Sequence, residues 1–281
     1  MKSRNNKITI TPQNRFNNFD LFEVLKYRDL IFMFMKRDFI VYYKQTLLGP
    51  LWYFIQPLVN TLVFTVIFGK LANMSTDNLP QFLFYMSGTI LWAYFSACVT
   101  TVSNTFLANR DIFSKVYFPR ASIPLSNVIF SFLQFFLQFF FFLCFYLFFY
   151  LKGSNINPNI NLLYFPLLLL FMALSALGIG LIISSITYKY RDLSLALPFL
   201  LQLGMFASPV VYPLSVIPEN YRVFSAMNPM TSVIELFRYM FFGASEINIF
   251  YVSISLLMTL ILFILGIFLF FKVEKNFMDT V

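Results

Sequence analysis

Charged residues divide this chain into six long uncharged stretches: 45–69, 78–109, 121–151, 153–188, 193–218 and 247–271. A helix rises about 1.5 Å per residue, so about 20 apolar residues cross a hydrocarbon layer about 30 Å thick. Each stretch is long enough, and several leave residues over for a loop or interfacial turn. The pattern predicts six spans. Span one runs from Leu51 to Gly69, span two over about Gln81–Thr101, and span three from about Ile123 to Leu151. Span four leaves the membrane at Tyr188, span five runs from about Leu193 past Met205, and span six covers Ile247–Phe271.

Two segments break the pattern. Residues 21–48 mix Leu, Phe, Met and Tyr with Glu23, Lys26, Asp29, Lys36, Arg37, Asp38 and Lys44. That much charge forbids spanning, and that much apolar surface does not suit a solvated tail. An amphipathic helix at the membrane interface satisfies both; a short helix packed on the protein's own cytoplasmic face is the alternative. Residues 209–246 carry Glu219, Arg222, Glu235, Arg238 and Glu246 among Phe, Met and Ile, with Pro209, Pro213 and Pro218 interrupting. A re-entrant pair of short outer helices, covered by protein, fits this composition. Glu235 and Arg238 stand at i, i+3 and are placed to pair. The expected fold is an all-α integral membrane protein of six transmembrane helices, with an interface helix at the N-terminus and re-entrant helices between spans five and six. Its parts are a soluble segment 1–20, the interface helix 21–48, a membrane domain 49–272 and a cytoplasmic tail 273–281. An inner loop, 104–120, joins spans two and three.

Composition agrees. The chain is 59% hydrophobic and 11% charged, against roughly 25% charged in soluble domains. The net charge of +8 would suit nucleic acid, but its placement points elsewhere. With the N-terminus inside, 16 of the 20 Lys and Arg fall on inner segments, the positive-inside asymmetry of a membrane protein with both termini cytoplasmic. Residues 1–20 are polar and basic, without the apolar core of a signal peptide. Cys98 and Cys144 lie in apolar runs near opposite faces, which argues against a disulfide; both read as small buried hydrophobes.

Several chemistries are excluded. The chain has no histidine, which removes His-based acid–base catalysis and His metal sites. The long runs hold no ionisable group of the kind that ion-coupled transporters place at membrane depth. No phosphate-binding Gly-x-x-x-x-Gly-Lys-Ser/Thr loop is present, so any ATP would be hydrolysed by another chain. No carboxylate constellation marks an enzyme, although Asp77, Glu219, Glu235 and Glu246 stand on the outer side.

Polar residues inside the spans are patterned. Asn127, Ser131, Gln134 and Gln138 share one face of span three. They either bond neighbouring helices or form a wetted face. Trp52, Gln56 and Asn60, at i, i+4 and i+8, share a face of span one. These line a pore, or Trp52 anchors in lipid and the amides pack. Ala176, Gly180 and Ser184 form a close-packing face on span four.

Taken in order, several motifs carry a resemblance. They are Arg37-Asp38, Tyr43-Lys44-Gln45-Thr46-x-Leu48-Gly49-x-x-Trp52, Gln56-Pro57-Leu58, Lys115-Val116-Tyr117-Phe118-Pro119-Arg120, Tyr190-Arg191-Asp192, Ser208-Pro209-Val210-Val211-Tyr212-Pro213, Asn228-Pro229-Met230-Thr231 and Phe237-Arg238. The set resembles the membrane subunits of type-2 ABC exporters that move polysaccharides, in particular O-antigen and related cell-surface polysaccharide permeases. The resemblance implies a homodimer in the bacterial inner membrane, two separate ATPase subunits that bind ATP and Mg, and a lipid-linked polysaccharide as substrate. No cofactor is expected on this chain, and no nucleic acid. Asn104, Asn109, Arg110, Asp111, Ile112 and Lys115 would lie in the coupling loop that docks on the ATPase; an ordinary solvated loop is the alternative. Tyr42, Tyr43, Lys44, Leu48, Gly49 and Pro50 would form the substrate entrance. The pore-facing residues would be Trp52, Gln56 and Asn60, with Asn127, Ser131, Gln134 and Gln138. A capsule or teichoic-acid permease of the same architecture and an integral-membrane enzyme acting on lipid-linked sugars are the other readings.

Overall fold

A computed structural model describes residues 26–44, 49–113, 115–116, 118–154, 156–243 and 247–280. No strand occurs among them. Helix α1 covers Arg28–Lys44 and α2 Trp52–Phe64, continued by a π-helical stretch, Thr65–Leu71. Helix α3 is Gln81–Ser103, followed by two single turns, α4 (Thr105–Ala108) and α5 (Arg110–Phe113). Then come α6 (Ser122–Leu151), α7 (Phe165–Thr187), α8 (Asp192–Phe206), α9 (Glu219–Ala226), α10 (Pro229–Phe242) and α11 (Ile249–Thr280).

Five helical stretches are long and apolar enough to cross a membrane: Trp52–Leu71, Gln81–Ser103, Ser122–Leu151, Ile160–Thr187 and Ile249–Lys275. They match spans one to four and six. The expected fifth span is shorter. Helix α8 has 15 residues, roughly 22 Å of rise, and ends at Phe206 ahead of Pro209, whose ring cannot continue a helix.

Local sequence explains several ends. Asn228 caps α10, its side-chain oxygen accepting from the Met230 N–H at 3.1 Å, with Pro229 in the first turn; that turn has no intrahelical use for the missing N–H. Gly243 closes α10 in the left-handed region, φ 65°, where a Cβ is unfavourable. Within α2, Pro57 interrupts the backbone ladder, while the Thr61 hydroxyl donates to the Pro57 carbonyl at 2.7 Å.

Helix α3 is the centre of the packing. It is flanked by α6 and α7, and α11 lies along α7. The face predicted on span four is a packing face: Ala176 and Ser184 are buried, and a Cβ on Gly180 would reach 2.7 Å from Val102 on α3. The α7–α11 seam is closer still. A Cβ on Gly266 would stand 2.5 Å from the Gly178 carbonyl oxygen. Beside α3, rings from α6, α7 and α10 interlock, with Phe237 and Phe241 stacked at 4.4 Å and Phe139 against Phe165 at 4.9 Å.

Helix α1 buries Ile31 and Phe34, with Phe34 against Phe118 at 5.5 Å. It leaves Phe32, Met33, Ile40 and Val41 exposed. One cysteine departs from expectation. Cys98 is buried, but Cys144 is exposed, because α6 turns that face away from its neighbours; both thiols are free.

Candidate functional site

The inner loop opens on the single turns α4 and α5, with a break between them. Asn109 leaves helical geometry at φ −117° and ψ 19°, and its buried amide donates to the Thr105 carbonyl at 3.0 Å. Two short turns result. Phe106 and Phe113 are buried and anchor them, ring centroids 6.1 Å apart. Arg110, Asp111 and Lys115 are exposed, Ile112 is half-buried, and Asn104 is half-buried with its amide on the Thr100 carbonyl. The apolar residues thus fix the segment while its charges face outward.

Of the predicted entrance, Leu48 and the side chains of Tyr42, Tyr43 and Pro50 lie outside the described residues. Lys44 is exposed at the end of α1. Gly49 sits at φ +50° in the short turn Gly49–Leu51 that leads into α2, a backbone conformation that glycine adopts without strain. Trp52, Gln56 and Asn60 are all exposed on α2, so none of the three is engaged in packing α2 on its neighbours.

The polar stripe of α6 is placed differently. Asn127, Ser131 and Gln138 are buried. Asn127 donates to the Thr101 carbonyl of α3 at 3.2 Å, Ser131 to the Asn127 carbonyl at 2.9 Å, and half-buried Gln134 to the Tyr53 hydroxyl of α2 at 2.6 Å. The Asn127 and Gln134 bonds join α6 to α3 and α2, each worth about 0.6 kcal/mol in a membrane protein, while the Ser131 bond stays within α6. The helix-bonding alternative fits this geometry.

A different strip on α3 is half-buried where the rest of the helix is buried. Between Leu83 and Ser103, the positions that are not buried are Ala93, Ser96, Ala97, Thr100 and Thr101. They recur at i, i+3, i+4, i+7 and i+8, one helix face, and every one is small. Exposed surfaces elsewhere carry Phe136, Phe140 and Phe148 on α6 and Leu257, Ile264 and Phe268 on α11. The strip is bordered by α2, where Thr61 and Thr89 hydroxyls meet at 3.0 Å, by α6 at Asn127, and by α8, where Trp92 packs on Gly204. Helix α8 adds exposed Gln202 between Phe199 and Phe206. The sequence reading missed both features. The small-residue spacing that identified the face on span four was present here too, among the Trp and Tyr residues of the same helix.

On the predicted outer side, three motifs meet. Arg238 is buried and donates to the Pro209 carbonyl at 2.7 Å and the Val210 carbonyl at 3.1 Å. It pairs with Glu235 at 3.4 Å, as the i, i+3 spacing predicts, and lies 3.6 Å from the Phe84 ring centroid. Asn228 donates to the Ser208 hydroxyl at 2.7 Å. Burial pulls the Arg238 guanidinium below its ordinary range and raises the Glu235 carboxyl above its own, and the attraction between the two opposes both shifts. The arginine therefore fastens α10 and the 208–210 segment to α3.

Comparison with known proteins gives the family. The sequence profile described as ABC-2 type transporter matches residues 29–242, from the first turn of α1 to the end of α10. An O-antigen export system permease protein, RfbA of Klebsiella pneumoniae, is 29% identical over 252 residues, 89% of this chain and 94% of its own. The polysialic acid transport protein KpsM of Escherichia coli is 24% identical over 191 residues, 68% of this chain and 72% of its own. The capsule polysaccharide export inner-membrane protein CtrC of Neisseria meningitidis is 25% identical over 247 residues, 83% of this chain and 86% of its own. With a profile match over most of its length and a helical fold built to cross the membrane, the chain belongs to the ABC-2 type transporter family.

Proposed function

We propose that this chain is the permease subunit of an ATP-driven exporter that moves a lipid-linked, O-antigen-like polysaccharide across the bacterial cytoplasmic membrane. It is a transport permease and not an enzyme; ATP and Mg act on a separate ATPase. The observation that carries the reading is the α3 strip. A helix otherwise buried leaves a half-buried face of Ala, Ser and Thr, and α2, which packs against it, exposes Trp52, Gln56 and Asn60. Small uncharged side chains give a sliding sugar polymer room without a deep trap, as conduction requires, and aromatic rings give its C–H faces something to stack on. Names of the relatives supply the substrate class.

In this reading two copies face each other across the α2, α3 and α8 surfaces, since one strip cannot surround a polymer. Each copy binds one ATPase through the segment 104–120, with Arg110, Asp111, Ile112 and Lys115 at the contact and Asn104 and Asn109 shaping it. Residues 42–50 form the entrance, α1 lies along the inner interface, and both termini are cytoplasmic. Helix α8, with the residues that follow it, counts as the fifth of six spans. Helices α9 and α10 are the re-entrant outer cover. Asn127 holds α6 to α3, and Gln134 positions Tyr53 at the edge of the path, with Ser131 and Gln138 buried on the same face. Capsule polysaccharide is the second reading, favoured by the likeness to capsule and polysialic acid transporters.

The test is export. Ser96→Trp and Thr100→Phe would fill the strip without breaking a helix contact. Each should leave the protein assembled and reduce polysaccharide at the cell surface at least about tenfold, in line with large effects from filling a confined conduit. Unchanged surface polysaccharide in both variants would contradict the assignment.

A further inference from the structure

We infer that α11 is a rod that transmits movement of the ATPase-facing segment to the outer helices, with Arg120 and Ser255 as the positioning residues at its two ends. The inference rests on the exporter reading above.

At the inner end, Arg120 is 4% exposed and donates from Nη1 to the Glu274 carbonyl of α11 at 3.1 Å. Its guanidinium lies over the ring of Phe113, the last residue of α5, at 5.2 Å. One turn before Glu274, Phe270 is buried against Phe106 of α4, ring centroids 4.8 Å apart. The two short turns that present Arg110 and Asp111 are therefore fastened to α11 by a stacked ring pair and a buried cation. Placing a cation there is costly unless its donors are satisfied, and the Glu274 carbonyl helps to satisfy them.

At the outer end, the buried Ser255 hydroxyl donates to the Ala226 carbonyl, the last residue of α9, and accepts from Ser232 in α10 at 2.7 Å. Both short outer helices thus meet on one hydroxyl of α11. From Ser255 to Glu274 the helix is continuous and free of proline, roughly 28 Å of rise, close to the hydrocarbon thickness. In lipid its backbone bonds have no competing partner, so it moves as a unit. Its exposed side carries Leu257, Ile264 and Phe268. Against α7 it meets backbone at Gly178 and Gly266, with the Leu181 side chain beside the contact.

The experiment uses the full chain with its ATPase in nanodiscs, nucleotide-free and trapped with ATP, Mg and vanadate. Amide hydrogen exchange is followed over α5 and over 219–242. Wild type should change exchange in both regions on trapping. Arg120→Gln and Ser255→Ala should cut the change over 219–242 at least about threefold while α5 still responds. Basal ATP hydrolysis should stay within about twofold in Ser255→Ala, because that residue lies outside the ATPase-facing segment. Arg120→Lys, which can still donate to the Glu274 carbonyl, should restore much of the outer response. Should Arg120→Gln fail to assemble, Ser255→Ala decides alone, since it removes one hydroxyl and no charge. An undiminished outer response in the variants, or one lost together with the α5 response, overturns the inference. Failure of the exporter reading is separate: wild type would then form no complex with the ATPase.

Discussion

At the scale of the residue, two buried cations show how much of the site depends on partners distant in sequence. Arg238 bonds carbonyls of residues 209 and 210 and pairs with Glu235. Removing one member of a buried pair leaves the other uncompensated, at about 3–5 kcal/mol. Arg238→Met is expected to lower the thermal midpoint of the purified protein sharply, and Glu235→Gln to lower it less, because a neutral amide can still bond the guanidinium. Equal midpoints for wild type and Arg238→Met would refute the clamp. The Glu235–Arg238 pair was legible in the sequence from its i, i+3 spacing. The carbonyl partners of Arg238 were not, since main-chain acceptors leave no mark in side-chain identity. The α6 stripe shows the opposite limit: its helical spacing was readable, but whether Asn127 meets water or the Thr101 carbonyl depends on which helix stands opposite. Cys144 misled for the same reason, as an apolar run does not say which of its faces meets protein.

At the scale of the element, hydrophobic run length located the five longer spans because lipid demands it residue by residue. It left open where a helix ends inside an apolar run, as α8 does at Phe206, and it could not show where one buried side chain redirects the backbone, as at Asn109. The small strip on α3 was within reach of the same spacing argument, but the large aromatic residues around it carry the hydrophobic signal of that helix. Two predictions belong here. Gly266→Ala forces α11 off the Gly178 carbonyl and should destabilise by about 1–3 kcal/mol, the usual cost of overpacking, read as a lower unfolding midpoint in detergent. A midpoint equal to wild type would contradict the close seam. Reversing the exposed charges with Arg110→Glu and Lys115→Glu should leave the fold unchanged, since neither side chain is buried, and abolish co-purification of the ATPase. Full retention of the ATPase would remove the docking role from 104–120.

For the whole molecule, the proposed reading makes the parts one device in which the membrane chain supplies a path and another protein supplies the energy. In that proposal the path is the α3 strip with α2 and α8 packed against α3, the inner turns face the ATPase, and α11 links those turns to the outer helices. Arg238 fastens α10 to α3. Family membership follows from the ordered motifs along the chain, whereas the substrate is read from relatives. Transport by the purified components tests the account most directly. The chain is reconstituted into liposomes with its ATPase, and fluorescent lipid-linked polysaccharide is followed across the bilayer. The account predicts transfer that needs both proteins and hydrolysable ATP, and that Ser96→Trp stops. Transfer by this chain with no ATPase present, or none with both proteins and ATP, would contradict it.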